Sequence, residues 1–169
     1  IGSTVKITLR TLAEFLDPGT FEVLVAEDGC EDRTPEIADR LAAADDRVRH
    51  FHSDDRLGRG GALERAFEAA HGDVLVYFDT DLATDMRHLE TLVEHVRSGT
   101  ADVATGSRWM PENVADRTPT PGVPSRAYNG LVRAFLRSDL REHQCGFKAF
   151  SREAFESLAA ETEDDHWFW

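Results

Sequence analysis

An α/β fold, with a mostly parallel central sheet and helices on both of its faces, is predicted by three features of the chain. Short runs rich in Val, Leu and Phe, such as Phe21 to Ala26 and Asp73 to Phe78, alternate with amphipathic stretches of helical period. The apolar runs are continuous rather than alternating, the pattern of strands covered on both faces. Gly- and Asp-rich turns follow the strands, where each helix has to be started.

Residues 3–16 carry Val5, Leu9, Leu12 and Leu16 at helical spacing, with Ser3 or Thr4 available as a cap, and "DPGT" stops that helix. Phe21 to Ala26 is the first strand. Thr34 followed by Pro35 opens the next helix, since Pro fits the first helical position. Val48 to His52 is the second strand. From Gly58 to His71 a Gly-rich turn runs into a helix bearing Ala62, Leu63, Ala66, Phe67 and Ala70, and Asp73 to Phe78 forms the third strand. Asp85 caps a helix with Leu89, Leu92, Val93 and Val96, which Gly99 closes. Val103 to Gly106 is the fourth strand. Trp109 to Pro124 holds four of the six prolines and reads as a long functional loop. A helix from Ser125 to Arg137, a strand at Gly146 to Phe150 and a helix capped by Ser151 complete the order.

At 169 residues the chain suffices for one domain and is too short for two ordinary ones. Both ends look cut: no strand feeds the first helix, and "HWFW" places three large aromatics where a domain would continue. The expectation is a single catalytic domain over 1–169, without its first strand and its C-terminal end. With 32 acidic against 19 basic residues the formal charge is -13, which repels nucleic acid and anionic lipid. Only Lys6 and Lys148 among the basic residues are lysines. That bias with the acidity fits a protein dissolved in concentrated salt, as in a halophilic archaeon; an ordinary acidic cytosolic protein is the alternative. Cys30 and Cys145 are too few for a disulfide framework and too far apart for a paired zinc motif, so a reducing compartment is expected. No apolar run reaches the ~20 residues of a membrane span, and the segment is expected to be water-soluble. The His50-x-His52 pair shares one face of a strand, but two imidazoles lacking a third ligand read as surface or partly packed residues.

The chemistry is expected at the carboxyl ends of the strands, where loops from several strands converge. "VAEDGCEDRT" follows the first strand, "FDTD" the third and "GSRW" the fourth. With 17 Asp in the chain, chance alone would supply an Asp-x-Asp triplet, so the setting of Asp79 and Asp81 decides their meaning. At a strand end both can face one cavity, and paired hard oxygens suit Mg²⁺ or Mn²⁺, which share their remaining positions with substrate phosphates. "DDRLGRGGALERA" is Gly-rich but lacks the endings of ATPase or dinucleotide loops. Gly58 would let the backbone approach a ligand closely, and Arg59 adds a cation.

In this order "VAEDGCEDRT", "RLGRGGAL", "FDTDLATD", "GSRW" and "QCGFKAF" resemble the family 2 glycosyltransferases of GT-A fold, a Rossmann-like sheet, and among them the dolichyl-phosphate glucose and mannose synthases. The resemblance implies an inverting transfer of a hexose from a nucleoside diphosphate sugar, UDP-glucose or a relative, to a dolichyl or polyprenyl phosphate. By the same resemblance Asp28 contacts the nucleobase, Asp79 and Asp81 hold the metal and diphosphate, and Arg59 lies near the nucleotide. Arg108 and Arg126 match positions associated with the acceptor phosphate, a task that suits the two-pronged guanidinium. Gln144 and Lys148 flank a turn resembling the floor of the sugar pocket. Glu142 stands where relatives often have an Asp proposed as catalytic base.

The family's opening strand, with its nucleotide contact, is absent here. A lipid phosphate carries about -1.5 to -2 charges at neutral pH and needs orientation more than deprotonation. An acceptor hydroxyl would need a base, and Glu142 would be the first candidate. The acceptor implies work at the cytoplasmic face of the membrane, through the Pro-rich loop or a further segment. Transfer to a sugar hydroxyl, a noncatalytic nucleotide-sugar-binding module and a nucleotidyltransferase are the competing readings.

Overall fold

The computed structural model describes residues 1–81, 84–107 and 145–162. Its elements run α1 (Gly2–Leu12), β1 (Val23–Ala26), α2 (Thr34–Ala44), β2 (Val48–Phe51), α3 (Gly58–Glu68), β3 (Val74–Phe78), a short 3-10 turn (Met86–His88), α4 (Leu89–Arg97), β4 (Val103–Thr105), β5 (Phe147–Ser151) and α5 (Arg152–Glu161). Strands and helices alternate as expected up to β4. The long loop at 109–124, the helix at 125–137 and the terminal aromatics lie outside the described residues.

β1 and β2 pair in parallel, Val23 opposite Val48 and Ala26 opposite Phe51. The other sheet has the order β3-β5-β4, with β5 antiparallel to both neighbours. β3 and β4 therefore run the same way, and the departure from a parallel sheet is confined to β5. The apolar run "GFKAF" specifies a buried strand and says nothing of its direction.

Alternation gives the second sheet two packed faces. Val74, Val76, Phe78, Phe147 and Ala149 meet the α4 stripe Leu89, Leu92, Val93 and Val96, together with Leu12 of α1. On the other face Leu75 and Phe150 meet Phe67 of α3 and Phe155 of α5. The Phe67 and Phe155 rings stand edge to face at 5.3 Å between centroids, a favoured aromatic geometry. A third cluster, Val5, Val25, Ala38 and Val48, seals α1 and α2 onto the parallel pair. Each fully buried large apolar side chain contributes roughly 1.5–3 kcal/mol, so these faces fix which strand ends meet.

Local signals hold in part. Gly99 ends α4 at φ +70°, and its amide donates to the Val96 carbonyl at 2.9 Å. Asp85 caps the 3-10 turn that leads into α4, accepting from the Arg87 amide at 3.0 Å. Its carboxyl is lowered to about 2, chiefly by the Arg87 side chain. Thr34 and Pro35 do open α2, whose N-cap Arg33 makes no side-chain cap; the Thr34 amide donates instead to Asp32 Oδ1, in the turn before it, at 2.8 Å. Neither Ser3 nor Thr4 caps α1, which starts at Gly2 without a side-chain cap. The helix also stops at Leu12 rather than 16, and Phe15 and Leu16 turn inward onto the α4 cluster. Among the described residues no helix is long and apolar enough to cross a membrane.

Ser151 caps α5 as expected, accepting from the Ala154 amide at 3.1 Å. Ser151→Ala is predicted to cost about 1 kcal/mol, the usual loss for an N-cap oxygen. Chemical denaturation of the two proteins side by side checks it, and an unchanged midpoint would remove the cap from the account of this helix.

Candidate functional site

The antiparallel register of β5 assembles the site. Tyr77 lies opposite Lys148 and Phe78 opposite Phe147, so the next residues outward, Asp79 and Gly146, meet where β3 ends. A parallel strand would have sent Gly146 to the far edge of the sheet. Gly146 fits against Asp79 and Arg59 only because it lacks a side chain: a Cβ there would lie 3.0 Å from the Asp79 Cγ, closer still to its Oδ2, and 3.2 Å from an Arg59 guanidinium nitrogen.

Arg59, in the first turn of α3, donates to Asp79 Oδ1 at 2.8 Å. Its guanidinium also lies 5.7 Å from the centre of the Tyr77 ring. Lys148 Nζ, from β5, is 5.6 Å from the same ring centre and donates to the Tyr77 hydroxyl at 3.1 Å. Two cations and one aromatic ring from three elements thus gather beside the exposed carboxylate of Asp79, two residues before the exposed Asp81. Cation–π contacts of this kind contribute roughly 0.5–1 kcal/mol each at exposed sites. Their larger consequence is to hold positive charge beside a place where an anion can sit.

The turn bearing the two aspartates is anchored from below. Thr4 Oγ1 donates to the carbonyl of Thr80, the residue between them, at 2.7 Å. Thr4 is thus a positioning residue that the sequence offered only as a helix cap. Asp28 ties the first loop to the Gly-rich one: its Oδ1 accepts from the Leu57 amide at 2.6 Å and its Oδ2 from the Gly58 amide at 3.0 Å. Gly58 adopts φ +83°, a left-handed conformation that favours glycine, and this turn aims both amides at Asp28.

The donor chemistry suits a hard divalent cation, which Asp79 and Asp81 would hold through carboxylate oxygens. Asp79 already faces a positive charge, the Arg59 guanidinium at 2.8 Å. Arg108, Arg126, Glu142 and Gln144 lie outside the described residues, so the geometry speaks for Asp28, Gly58, Arg59, Asp79, Asp81 and Lys148 alone.

Next to Asp28 lies a cluster that the sequence left apart. Glu27, at the end of β1, has a side chain only 3 % exposed and faces both His50 and His52. Burial raises the Glu27 carboxyl, yet hydrogen bonds from His52 and the Cys30 amide outweigh it and leave the group below its ordinary value. The His52 imidazole is raised by its hydrogen bonds to Glu27 and then Asp54. The Cys30 thiol is raised, by burial first and by Glu27 second. The two histidines were legible as a pair at the end of β2; their partner was hidden because parallel pairing with β1 brings it from a distant part of the chain.

Comparison with known proteins adds the following. The family model described as glycosyl transferase family 2 matches residues 2–159. Over all 169 residues the chain is 77% identical to the glycosyltransferase AglD of Haloferax volcanii, of which it spans 27%. It is 28% identical over 154 residues, 88% of its length, to the dolichyl-phosphate beta-glucosyltransferase ALG5C of Trichomonas vaginalis, spanning 46% of that protein. Among solved structures, glucosyl-3-phosphoglycerate synthase of Mycobacterium tuberculosis, crystallised with Mn²⁺, UDP-glucose and phosphoglyceric acid, aligns with a TM-score of 0.58 at 22% identity, covering 90% of this chain and 53% of that one. At that identity the structural likeness establishes the fold.

Proposed function

The chain belongs to glycosyl transferase family 2, and from that premise we propose that it transfers a hexose from a nucleoside diphosphate sugar, UDP-glucose or a relative, to a dolichyl or polyprenyl phosphate with inversion at the anomeric carbon. The chain spans about a quarter to a half of the length of the relatives compared, so the whole protein's activity is part of this proposal. The observation that supports it most is the meeting of Asp79, Arg59, Gly146 and the Tyr77–Lys148 pair at the end of β3.

Each residue then has a task. Asp28 receives the nucleobase, exchanging its present backbone donors for the base's N–H. Gly58 and Arg59 border the diphosphate, and Asp79 and Asp81 would hold Mg²⁺ or Mn²⁺. That cation, when bound, supplies Lewis-acid neutralisation of the leaving diphosphate. Lys148, which donates to the Tyr77 hydroxyl, and Gln144 would flank the floor of the sugar pocket. Arg108 and Arg126 orient the acceptor phosphate. An oxygen of that phosphate attacks the anomeric carbon in line as the bond to the nucleoside diphosphate breaks. The phosphate is already anionic, so Glu142 is not required as a base. A lipid acceptor would bring the reaction to a membrane surface, and the cytoplasmic face is the side proposed here. The 28% identity to a dolichyl-phosphate beta-glucosyltransferase supports the acceptor, and Mn²⁺ with UDP-glucose in the structural relative supports the donor and metal class.

Incubation of the protein with labelled UDP-glucose, Mn²⁺ and dolichyl phosphate is expected to yield an acid-labile, lipid-extractable product. Label appearing only on a soluble acceptor would replace the lipid phosphate by a hydroxyl and make Glu142 essential. UDP binding with no turnover on any acceptor would reduce the domain to a noncatalytic module.

A further inference from the structure

We propose that Glu27, His50 and His52 form a second metal site, for one transition-metal cation of the zinc class, distinct from the Asp79–Asp81 site. One ligand atom from each of the three residues lies within 4.8 Å of the other two. His50 Nε2 is 3.6 Å from Glu27 Oε1, and His52 Nδ1 makes a close contact with the same oxygen. Ligands about a tetrahedral ion with bonds of ~2.1 Å stand roughly 3.4 Å apart, so small side-chain adjustments close the set.

The remaining ring nitrogens make the case specific. His50 Nδ1 is 2.7 Å from Asp39 Oδ1, and His52 Nε2 is 3.0 Å from Asp54 Oδ1. A carboxylate can only accept, so each of those nitrogens carries a proton. The imidazoles are thereby turned with their other nitrogen toward Glu27, the arrangement in which outer carboxylates orient metal-binding histidines. Glu27 Oε2 is held in turn by the Cys30 amide at 3.0 Å.

His50 Nε2 is the unexplained atom. The side chain is 6 % exposed, and this nitrogen is buried without a hydrogen-bond partner among the described residues. With Nδ1 on Asp39, His50 turns Nε2 toward the buried Glu27 Oε1 at 3.6 Å with no hydrogen bond between them, a gap that a bridging cation would fill. A cation there serves His50, His52 and Glu27 together, replacing the proton that His52 Nδ1 otherwise offers to Glu27. Two imidazole nitrogens and one carboxylate favour Zn²⁺ and its neighbours over Mg²⁺ or Mn²⁺, which prefer oxygen alone. Occupancy would tie the turn after β1 to the segment after β2, where the Gly29 amide already donates to Ser53 O and Asp28 holds Leu57 and Gly58.

The untagged protein, stripped of metal and kept in excess Mg²⁺ to fill oxygen sites, is titrated with Co²⁺ as the spectroscopic probe. One equivalent is expected to bind with visible ligand-field absorption and to raise the melting temperature. His52→Ala, at a side chain 43 % exposed, and Glu27→Gln should each weaken that binding at least tenfold, with the metal-free melting temperature of each variant as the control for folding, while Asp81→Asn leaves it unchanged. Absence of the absorption, or binding that survives both substitutions or disappears with Asp81→Asn, would overturn the proposal and leave the cluster a proton-sharing His–Glu–His network. Because the readout needs neither UDP nor sugar transfer, failure here is separable from failure of the proposed activity.

Discussion

Asp81→Asn is expected to lower sugar transfer by about 10³-fold, the scale of losing one preorganised electrostatic contact to a developing charge, while leaving the fold intact. Asp81 is exposed, beyond the end of β3, and belongs to none of the three apolar clusters, so the substitution removes charge without opening a cavity. Asn keeps the shape and one oxygen but not the negative charge on which a hard divalent cation depends. Two measurements give the prediction its sign: UDP affinity with and without Mn²⁺, and turnover at saturating donor. The manganese-linked part of UDP binding should fall with turnover. If the variant transfers sugar at the wild-type rate, or if manganese promotes UDP binding equally in both proteins, Asp81 is not a metal ligand and the proposed reaction loses its leaving-group assistance. Asp79→Asn is the companion case. Its ion pair with Arg59 is between half-exposed groups, and such pairs contribute little to stability.

Much of this site is legible in the sequence because it depends on local relations. An apolar run ending in "DTD" declares a strand end, and Asp85, Gly99 and Ser151 declare helix ends through side-chain oxygens or φ freedom that act over a few residues. What escapes is set by long-range register. The juxtaposition of Gly146 with Asp79 follows from β5 running antiparallel to β3, and Glu27 finds His50 and His52 through the parallel pairing of β1 with β2. Neither direction nor partner is written in a strand's own residues, since any buried strand presents the same apolar pattern. Thr4 is the intermediate case. A threonine near a helix start signals a cap, and only the packing of α1 against the β3 end turns its hydroxyl to Thr80 instead.

Gly146→Ala is expected to reduce transfer by about 10²-fold, the cost of misplacing a reacting group by roughly 1 Å, with little change in melting temperature. The added methyl would overlap Asp79 Oδ2, and the neighbouring contacts to Asp79 Cγ at 3.0 Å and Arg59 at 3.2 Å leave nowhere for it to go unless that pair moves. A short, exposed side chain such as Asp79 yields by rotating, which spares the core and spoils the geometry of the carboxylate. No positive φ makes glycine obligatory for the backbone here, so the effect belongs to the side chain it displaces. Gly106→Ala, just past the end of the neighbouring strand β4, is the matched control. Its methyl would press on Phe147 Cδ1 at 3.0 Å and Cys145 Sγ at 3.3 Å, so crowding of the buried Phe147 should lower the melting temperature instead. Comparison of melting temperature, manganese-dependent UDP affinity and turnover for both variants separates the two causes. If Gly146→Ala keeps wild-type UDP affinity in manganese and wild-type turnover, the close packing of Gly146 against Asp79 has no part in catalysis, and the assembly of the site by β5 would have to be abandoned.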